Sequence, residues 1–229
     1  MPTLYVVGTP IGNLEDVTLR ALRVLREVGL IAAEDTRTTR KLLAAHDIHT
    51  PLVSYHGFSR PWEVQRVLAA LEDRDVALVS EAGTPGISDP GYDLIQAAIE
   101  RGIPVRPVPG PSALTAALAV AGLPTHRVLF LGFLPRRPAE RRKLLRSLVD
   151  EEATLVAFAS PHRLRSDLED LGAILGDRPL AVCRELTKVY EEVFRGTPAE
   201  ALAYFPAPRG ECTLVIGGAS RRRMPAPEP

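Results

Sequence analysis

The sequence predicts an α/β protein of two domains, with a mostly parallel sheet in the first and a mixed sheet in the second. Short β-rich runs alternate with helical patterns, the order expected of βαβ units. The early strand-like runs are continuously apolar instead of alternating, as required of strands covered on both faces. After Pro109 the texture changes: a helix of small residues over Ser112 to Ala121 ends at Gly122, and Leu123, Pro124 and Thr125 read as a stop and a connection. The domains are therefore drawn as 1–122 and 123–220, followed by a tail, 221–229, whose Arg- and Pro-rich composition predicts disorder.

The chain opens with strand-like Leu4 to Val7 and a helix over Val17 to Val28, where Val17, Ala21, Val24, Leu25 and Val28 share one face. Strand-like Leu30 to Ala33 and Leu52 to Tyr55 follow. A helix near Pro61 to Glu72, a strand at Val76 to Ser80, a helix near Tyr92 to Arg101 and a strand at Ile103 to Val108 complete the first domain. The second carries strand-like Val128 to Phe133, a basic helix near Ala139 to Leu148, a strand at Thr154 to Ala159 and a helix near Leu164 to Leu175. Leu180 to Glu185 and Lys188 to Arg195 are expected to pair as antiparallel strands, since Val189, Glu191 and Val193 separate from Tyr190, Glu192 and Phe194. Cys212 to Ile216 supplies the last strand.

With 229 residues, 45% of them hydrophobic, the chain has enough apolar surface for a substantial core. Lys plus Arg equals Asp plus Glu at 28 each, so no global positive field draws it to nucleic acid or to an anionic membrane, and any such attraction is local. The apolar runs are too short to span a bilayer and the N-terminus has no signal-peptide layout, which predicts a cytoplasmic protein. Cys183 and Cys212 sit in apolar runs without metal-ligand spacing and are expected to be buried, reduced thiols. His46 and His49 are the nearest thing to a ligand pair, and no metal is expected.

Three tight turns of Gly, Pro and small hydroxyl residues follow strands and precede helices: Gly8-Thr9-Pro10-Ile11-Gly12-Asn13, Glu81-Ala82-Gly83-Thr84-Pro85-Gly86 and Pro109-Gly110-Pro111-Ser112-Ala113. In an open α/β sheet such turns lie along one edge, where ligands bind. None carries the Gly-x-Gly-x-x-Gly of a dinucleotide site, and no Gly-Lys-Ser/Thr closes a phosphate loop. A cofactor without phosphate is the easier occupant.

In one order and spacing, these turns accompany Ala33-Glu34-Asp35-Thr36-Arg37, Ser54-Tyr55-His56, Ile87-Ser88-Asp89-Pro90-Gly91, Ser160-Pro161-His162-Arg163 and Arg184-Glu185-Leu186-Thr187-Lys188. Over about residues 3 to 217 the chain closely resembles the ribosomal RNA small-subunit methyltransferase I family of the tetrapyrrole-methylase-like superfamily. The resemblance implies two α/β domains of the tetrapyrrole methylase type with S-adenosylmethionine in the cleft between them. It also implies a homodimer and 2′-O-methylation of a cytidine in the decoding region of 16S ribosomal RNA within the small subunit. Cofactor contacts carry over to Pro10, Gly83, Thr84, Ile87, Ser112 and Ala113. Glu81 stands where the family usually has Asp, and Ala159 where an acidic residue is common.

Methyl transfer needs the acceptor oxygen held in line, and then a group that takes its proton. Asp35, Arg37 and Glu185 are the catalytic candidates, with Glu34 and His56 on neighbouring strand ends; Asp35 or Thr36 also reads as a helix cap, and Glu185 as half of an ion pair with Arg184 or Lys188. The run from Arg136 to Arg146 sets six positive charges against Glu140, which marks Arg136, Arg137, Arg141 and Arg142 as RNA-binding candidates, the alternative being a solvated helix face. Two rival functions remain at this level: a methyltransferase of the same fold acting on a tetrapyrrole or another small molecule, and a non-catalytic RNA-binding assembly factor.

Overall fold

The structure is a computed structural model and describes residues 1–56 and 61–219; the tail expected to be disordered, 221–229, lies outside the described residues. The chain forms two compact units, Met1–Ala113 and Leu114–Pro229.

The first unit is built on strands β1 (Leu4–Val7), β2 (Leu30–Ala33), β3 (Leu52–Ser54), β4 (Val76–Val79) and β5 (Val105–Val108). They form one sheet in the order β3-β2-β4-β1-β5, all parallel. Helices α1 (Leu19–Glu27), α2 (Thr36–Ala45), α3 (Pro61–Ala70) and α4 (Tyr92–Glu100) cross between them. Strand side chains alternate between two cores, as the period of two requires. Ile31, Ala33, Ala77 and Val79 join Leu25 of α1 and Leu42 of α2 in one. Ala32, Val76 and Leu78 join Val67 of α3 and Leu94 of α4 in the other. Burial on both faces explains the continuously apolar strands, and parallel order places every strand's C-terminal end on one edge.

The second unit begins within the first turn of α5 (Ala113–Ala121), at Leu114, and carries β6 (Val128–Phe133), β7 (Thr154–Ala159), β8 (Leu180–Arg184), β9 (Glu192–Gly196) and β10 (Cys212–Ile216). The sheet order is β6-β7-β10-β8-β9, parallel only between β6 and β7, so it is mixed as expected. One face, from Leu155, Leu180, Val182, Leu214 and Ile216, packs against α6 (Pro138–Ser147), α7 (Leu164–Leu175) and α8 (Pro198–Tyr204). Helix α5 is tied to the same unit, although the sequence pattern divides the chain one helix later. The Cys183 thiol lies 3.9 Å from the Ala117 carbonyl, and Arg195 donates to the Val120 and Ala121 carbonyls at the helix end. Cys183 and Cys212 are both free and buried, and burial pushes the thiols up to about 11 and about 12.

Two local features differ from the sequence pattern. The β8 and β9 strands pair antiparallel, but β9 begins only at Glu192, opposite Arg184. Glu185 and Thr187 adopt left-handed backbone angles, φ 49° and 66°, and turn the chain so that Val189 and Tyr190 stand exposed in the connection instead of in the ladder. Helix α8 escapes the periodicity argument because it is short. Its signature is nonetheless present: Thr197 and Glu200 form a reciprocal capping box around Pro198 at the first helical position.

The basic run of α6 contributes to the core of this unit. Arg141 is only 4% exposed at its side chain; its guanidinium lies 3.3 Å from Asp167 and 2.6 Å from Asp170, both on α7. Asp167 is fully buried, and desolvation raises its carboxyl above the usual range despite the charges of Arg141 and Arg163. Arg141 therefore cannot reach an RNA phosphate, which corrects its expected role: the helix presents Arg142, Lys143 and Arg146 outward and turns this one inward to neutralise α7. Removing one member of a buried ion pair strands the other, at a cost of about 3–5 kcal/mol. Arg141→Ala should lower the free energy of urea unfolding by about that amount, whereas Arg142→Ala, at a residue 53% exposed, should lower it by no more than about 1 kcal/mol. Equal losses for the two variants would remove Arg141 from the core.

Candidate active site

The three Gly/Pro turns of the first unit are joined through their backbones. Gly8 N–H donates to Val108 O at 3.0 Å, which continues the β1–β5 pairing past the end of the sheet. Thr9 and Gly83 exchange both backbone hydrogen bonds, 2.9 and 3.0 Å, an antiparallel bridge between the turns after β1 and β4. The approach to the third turn is closer still. A Cβ on Gly110 would sit 2.7 Å from Gly8 O, so any side chain there would part the two turns. Gly83 holds φ +78°, with the Pro111 carbonyl 3.8 Å and the Ile11 side chain 3.5 Å from where its Cβ would lie. Pro10, Gly83, Thr84 and Ser112 are therefore neighbours of directly bonded or touching residues, and Ala113 opens α5 immediately after. Ile87, exposed, is bound back to the Thr84 carbonyl through its N–H at 3.3 Å. The sequence thus names six residues on one continuous rim of backbone donors, acceptors and apolar side chains.

Acidic side chains brace the neighbouring strand ends. Glu34, just beyond β2, accepts the Glu81 N–H at 3.1 Å and ties down the turn after β4. Asp35 caps α2, accepting from the N–H groups of Arg37 at 2.7 Å and Thr38 at 3.4 Å. The same carboxylate receives the Arg37 guanidinium at 3.1 Å, and the Arg37 side chain is otherwise 85% exposed. The Arg37 hydrogen bonds, side-chain first and then backbone, hold the Asp35 carboxyl below the usual carboxylate range. Asp35 is therefore the cap that the sequence also suggests, and the same carboxylate orients the Arg37 side chain. At the end of β3, the Ser54 hydroxyl and His56 Nε2 are 2.5 Å apart. Tyr55 is buried, and its hydroxyl accepts the Leu94 N–H at 3.2 Å, capping α4 where Gly91 has no side chain to do so. That capping role of Tyr55 is invisible in the sequence, because a tyrosine between strand and loop reads only as core.

In the second unit, Glu185 Oε1 accepts from Lys188 Nζ at 2.9 Å and from the Glu211 N–H at 2.8 Å. Burial alone would raise this carboxyl, but these donors outweigh it and hold it below the usual range. The side chain also occupies the space over Gly210, where a Cβ would fall 2.3 Å from Glu185 Cδ. Arg136 and Arg137 are exposed at the start of α6, Arg137 paired with Glu140 at 3.1 Å. Arg142 is tethered to Asp170 at 2.7 Å. Arg163 donates to the Leu134 carbonyl at 2.9 Å, so it supports the loop before α6. Ala159 is buried, which leaves no room for a hydrated carboxylate at that strand end. Among the described residues no His, Cys, Asp and Glu cluster has the geometry of a metal site, and no helix is long and apolar enough to cross a membrane.

Residues 3–202 match the model of the family described as Tetrapyrrole (Corrin/Porphyrin) Methylases. The chain is 50% identical over 226 residues to the ribosomal RNA small subunit methyltransferase I of Halalkalibacterium halodurans, covering 97% of this chain and 78% of that one. It is likewise 50% identical over 221 residues to the protein of the same name from Thermotoga maritima, covering 95% and 99%. Among solved structures, uroporphyrin-III-C-methyltransferase from Thermus thermophilus superposes with a TM-score of 0.68 at 26% identity, covering 95% and 94% of the two chains. A diphthine synthase superposes at 0.72 with 15% identity, covering 95% and 90%, a likeness of fold alone.

Because the Asp35 carboxyl is depressed in the folded chain, its ionic contribution is present above the unfolded value, about 3.9, and is lost as pH falls through the folded value. Asp35→Asn keeps a capping oxygen and removes the charge. The parent should melt above this variant at neutral pH, and the gap in thermal midpoint should close as acid protonates the parent's carboxyl. A gap independent of pH would mean that the Arg37 contact is not ionic.

Proposed function

Since the chain belongs to the ribosomal RNA small subunit methyltransferase I family, within the tetrapyrrole methylase fold, we propose that it transfers a methyl group from S-adenosylmethionine to the ribose 2′-oxygen of a cytidine in the decoding region of 16S ribosomal RNA. The observation that carries this reading is the backbone-fused rim of strand-end turns, in a chain half identical over nearly its whole length to proteins bearing that name.

The rim suits an adenosyl sulfonium. It offers backbone groups and hydroxyls over apolar Ile11 and Ile87, and Gly83 leaves its surface without a side chain; it has no lysine-bearing phosphate loop. Pro10, Gly83, Thr84, Ile87, Ser112 and Ala113 hold the cofactor in this reading. When bound, S-adenosylmethionine supplies an electrophilic methyl group on a sulfonium. The protein's part is then to position the acceptor and take its proton. Arg37, oriented by Asp35, offers its remaining N–H donors to the RNA beside the acceptor ribose. Asp35 and Glu185 are carboxylates held ionised by their partners, and an ionised carboxylate suffices as proton acceptor when the hydroxyl proton leaves late, after the oxygen has begun to bond. Arg136 and Arg137, with Arg142 further along α6, give a neutral chain its local attraction to phosphates. The protein acts as a cytoplasmic homodimer on the small ribosomal subunit, with no metal taking part.

Small subunits from a strain lacking this gene should, on incubation with the protein and labelled S-adenosylmethionine, acquire one 2′-O-methylcytidine, detected by nuclease digestion and mass spectrometry. Uroporphyrinogen offered under the same conditions should remain unlabelled. Label in a base instead of a ribose, or in the tetrapyrrole, would replace this reading with another methyltransferase of the same fold; no transfer together with no cofactor binding by calorimetry would favour an assembly factor.

A further inference from the structure

A hollow of about 470 Å³ opens between α6 and α7, lined by Arg142, Arg146, Val149, Asp170, Ala173 and Ile174. Arg142 and Arg146 stand four residues apart on α6 and so share a helix face. Asp170 is the single carboxylate in the lining, and its charge is spent inside the fold. One oxygen receives Arg141 at 2.6 Å, the other receives Arg142 Nε at 2.7 Å. This tether fixes the Arg142 guanidinium and leaves its terminal N–H groups for another partner, so that less side-chain freedom is lost when one binds. The Arg146 guanidinium forms no ion pair or hydrogen bond among the described residues. A cation in the last turn of a helix gains from the helix dipole wherever it points, but that does not account for a second guanidinium pinned beside it over a recess. The apolar lining, Val149, Ala173 and Ile174, offers nothing to a bare ion and suits the sugar or base attached to one.

We propose that this hollow is a phosphate site, in which Arg142 and Arg146 together hold a phosphodiester of the RNA substrate while its sugar or base covers Ile174 and Ala173. The inference rests on the RNA reading above and adds a contact of its own: the expected phosphate track of Arg136, Arg137, Arg141 and Arg142 loses Arg141 to the core and gains Arg146. It lies on the flank of the second unit's helices α6 and α7, so its part is to anchor RNA.

Arg146→Ala, Arg146→Lys and, as a surface control, Arg23→Ala would be titrated with small ribosomal subunits at several salt concentrations, beside parent protein whose methylation of the same subunits is measured. Arg146→Ala should weaken subunit binding about tenfold and reduce the log–log salt slope by about 0.7–0.9, one phosphate contact, with cofactor binding unchanged. Arg146→Lys should restore the slope and only part of the affinity, because an ammonium keeps the charge but not the fork. Arg23→Ala should match the parent. Superimposable curves for Arg146→Ala and a parent that binds and methylates would overturn the phosphate site and leave the function standing. A parent that neither binds nor methylates the subunit would overturn both. In a second arm, inorganic phosphate that raises the thermal midpoint of the parent but not of Arg146→Ala, with subunit binding equal in the two, would make this a site for free anions and overturn the RNA assignment.

Discussion

The contact on which the first unit's chemistry depends is the meeting of backbone with backbone between the turns after β1, β4 and β5. The Thr9–Gly83 bridge and the Gly8–Gly110 approach extend the sheet past its last regular residue. Because the strands are all parallel and packed on both faces, their C-terminal edge is the place where backbone remains available to a ligand. Fusing three turns there converts what would be mobile loops into an extension of the core. It also removes side chains from the surface, since glycine is required for the approach itself.

Much of this was legible in the sequence, for reasons specific to each element. The runs Leu4 to Val7, Leu30 to Ala33 and Val76 to Val79 read as doubly covered strands because every residue but Val6 joins one core or the other. The Gly/Pro turns read as a ligand edge because they follow strands in sequence. Arg141 was illegible: a guanidinium written among exposed arginines looks like them, and only the fully buried Asp167 and the nearly buried Asp170 on another helix, distant in sequence, decide that it turns inward. The start of β9 was missed for a different reason. Alternation of side chains persists through Lys188 to Glu191, but the left-handed angles at Glu185 and Thr187 place those residues in the turn, and alternation carries no information on backbone handedness.

The balance of charges gains meaning once partners are known. A chain with equal numbers of acids and bases is not thereby uniform. Asp35 holds Arg37, Glu192 holds Arg184, Glu185 and Glu211 share Lys188, and Asp167 and Asp170 absorb Arg141. These six acids are committed to shaping turns and joining helices, whereas Arg142 and Arg146 of α6 keep donors to spare. Local excess of positive potential arises from how the acids are used, without any excess in composition.

The seat of Glu185 over Gly210 reaches beyond the individual molecule. With φ +79° and the Glu185 carboxyl where its Cβ would be, a side chain at position 210 would strain its backbone and push Glu185 from its seat. The two sites form a single heritable character: among descendants of this sequence, bulk at 210 pushes Glu185 off the Lys188 ion pair and the Glu211 hydrogen bond, and a shortened 185 gives up both as well. Drift at either position is therefore costly, so the pair should persist in lineages where the surrounding surface has long since changed.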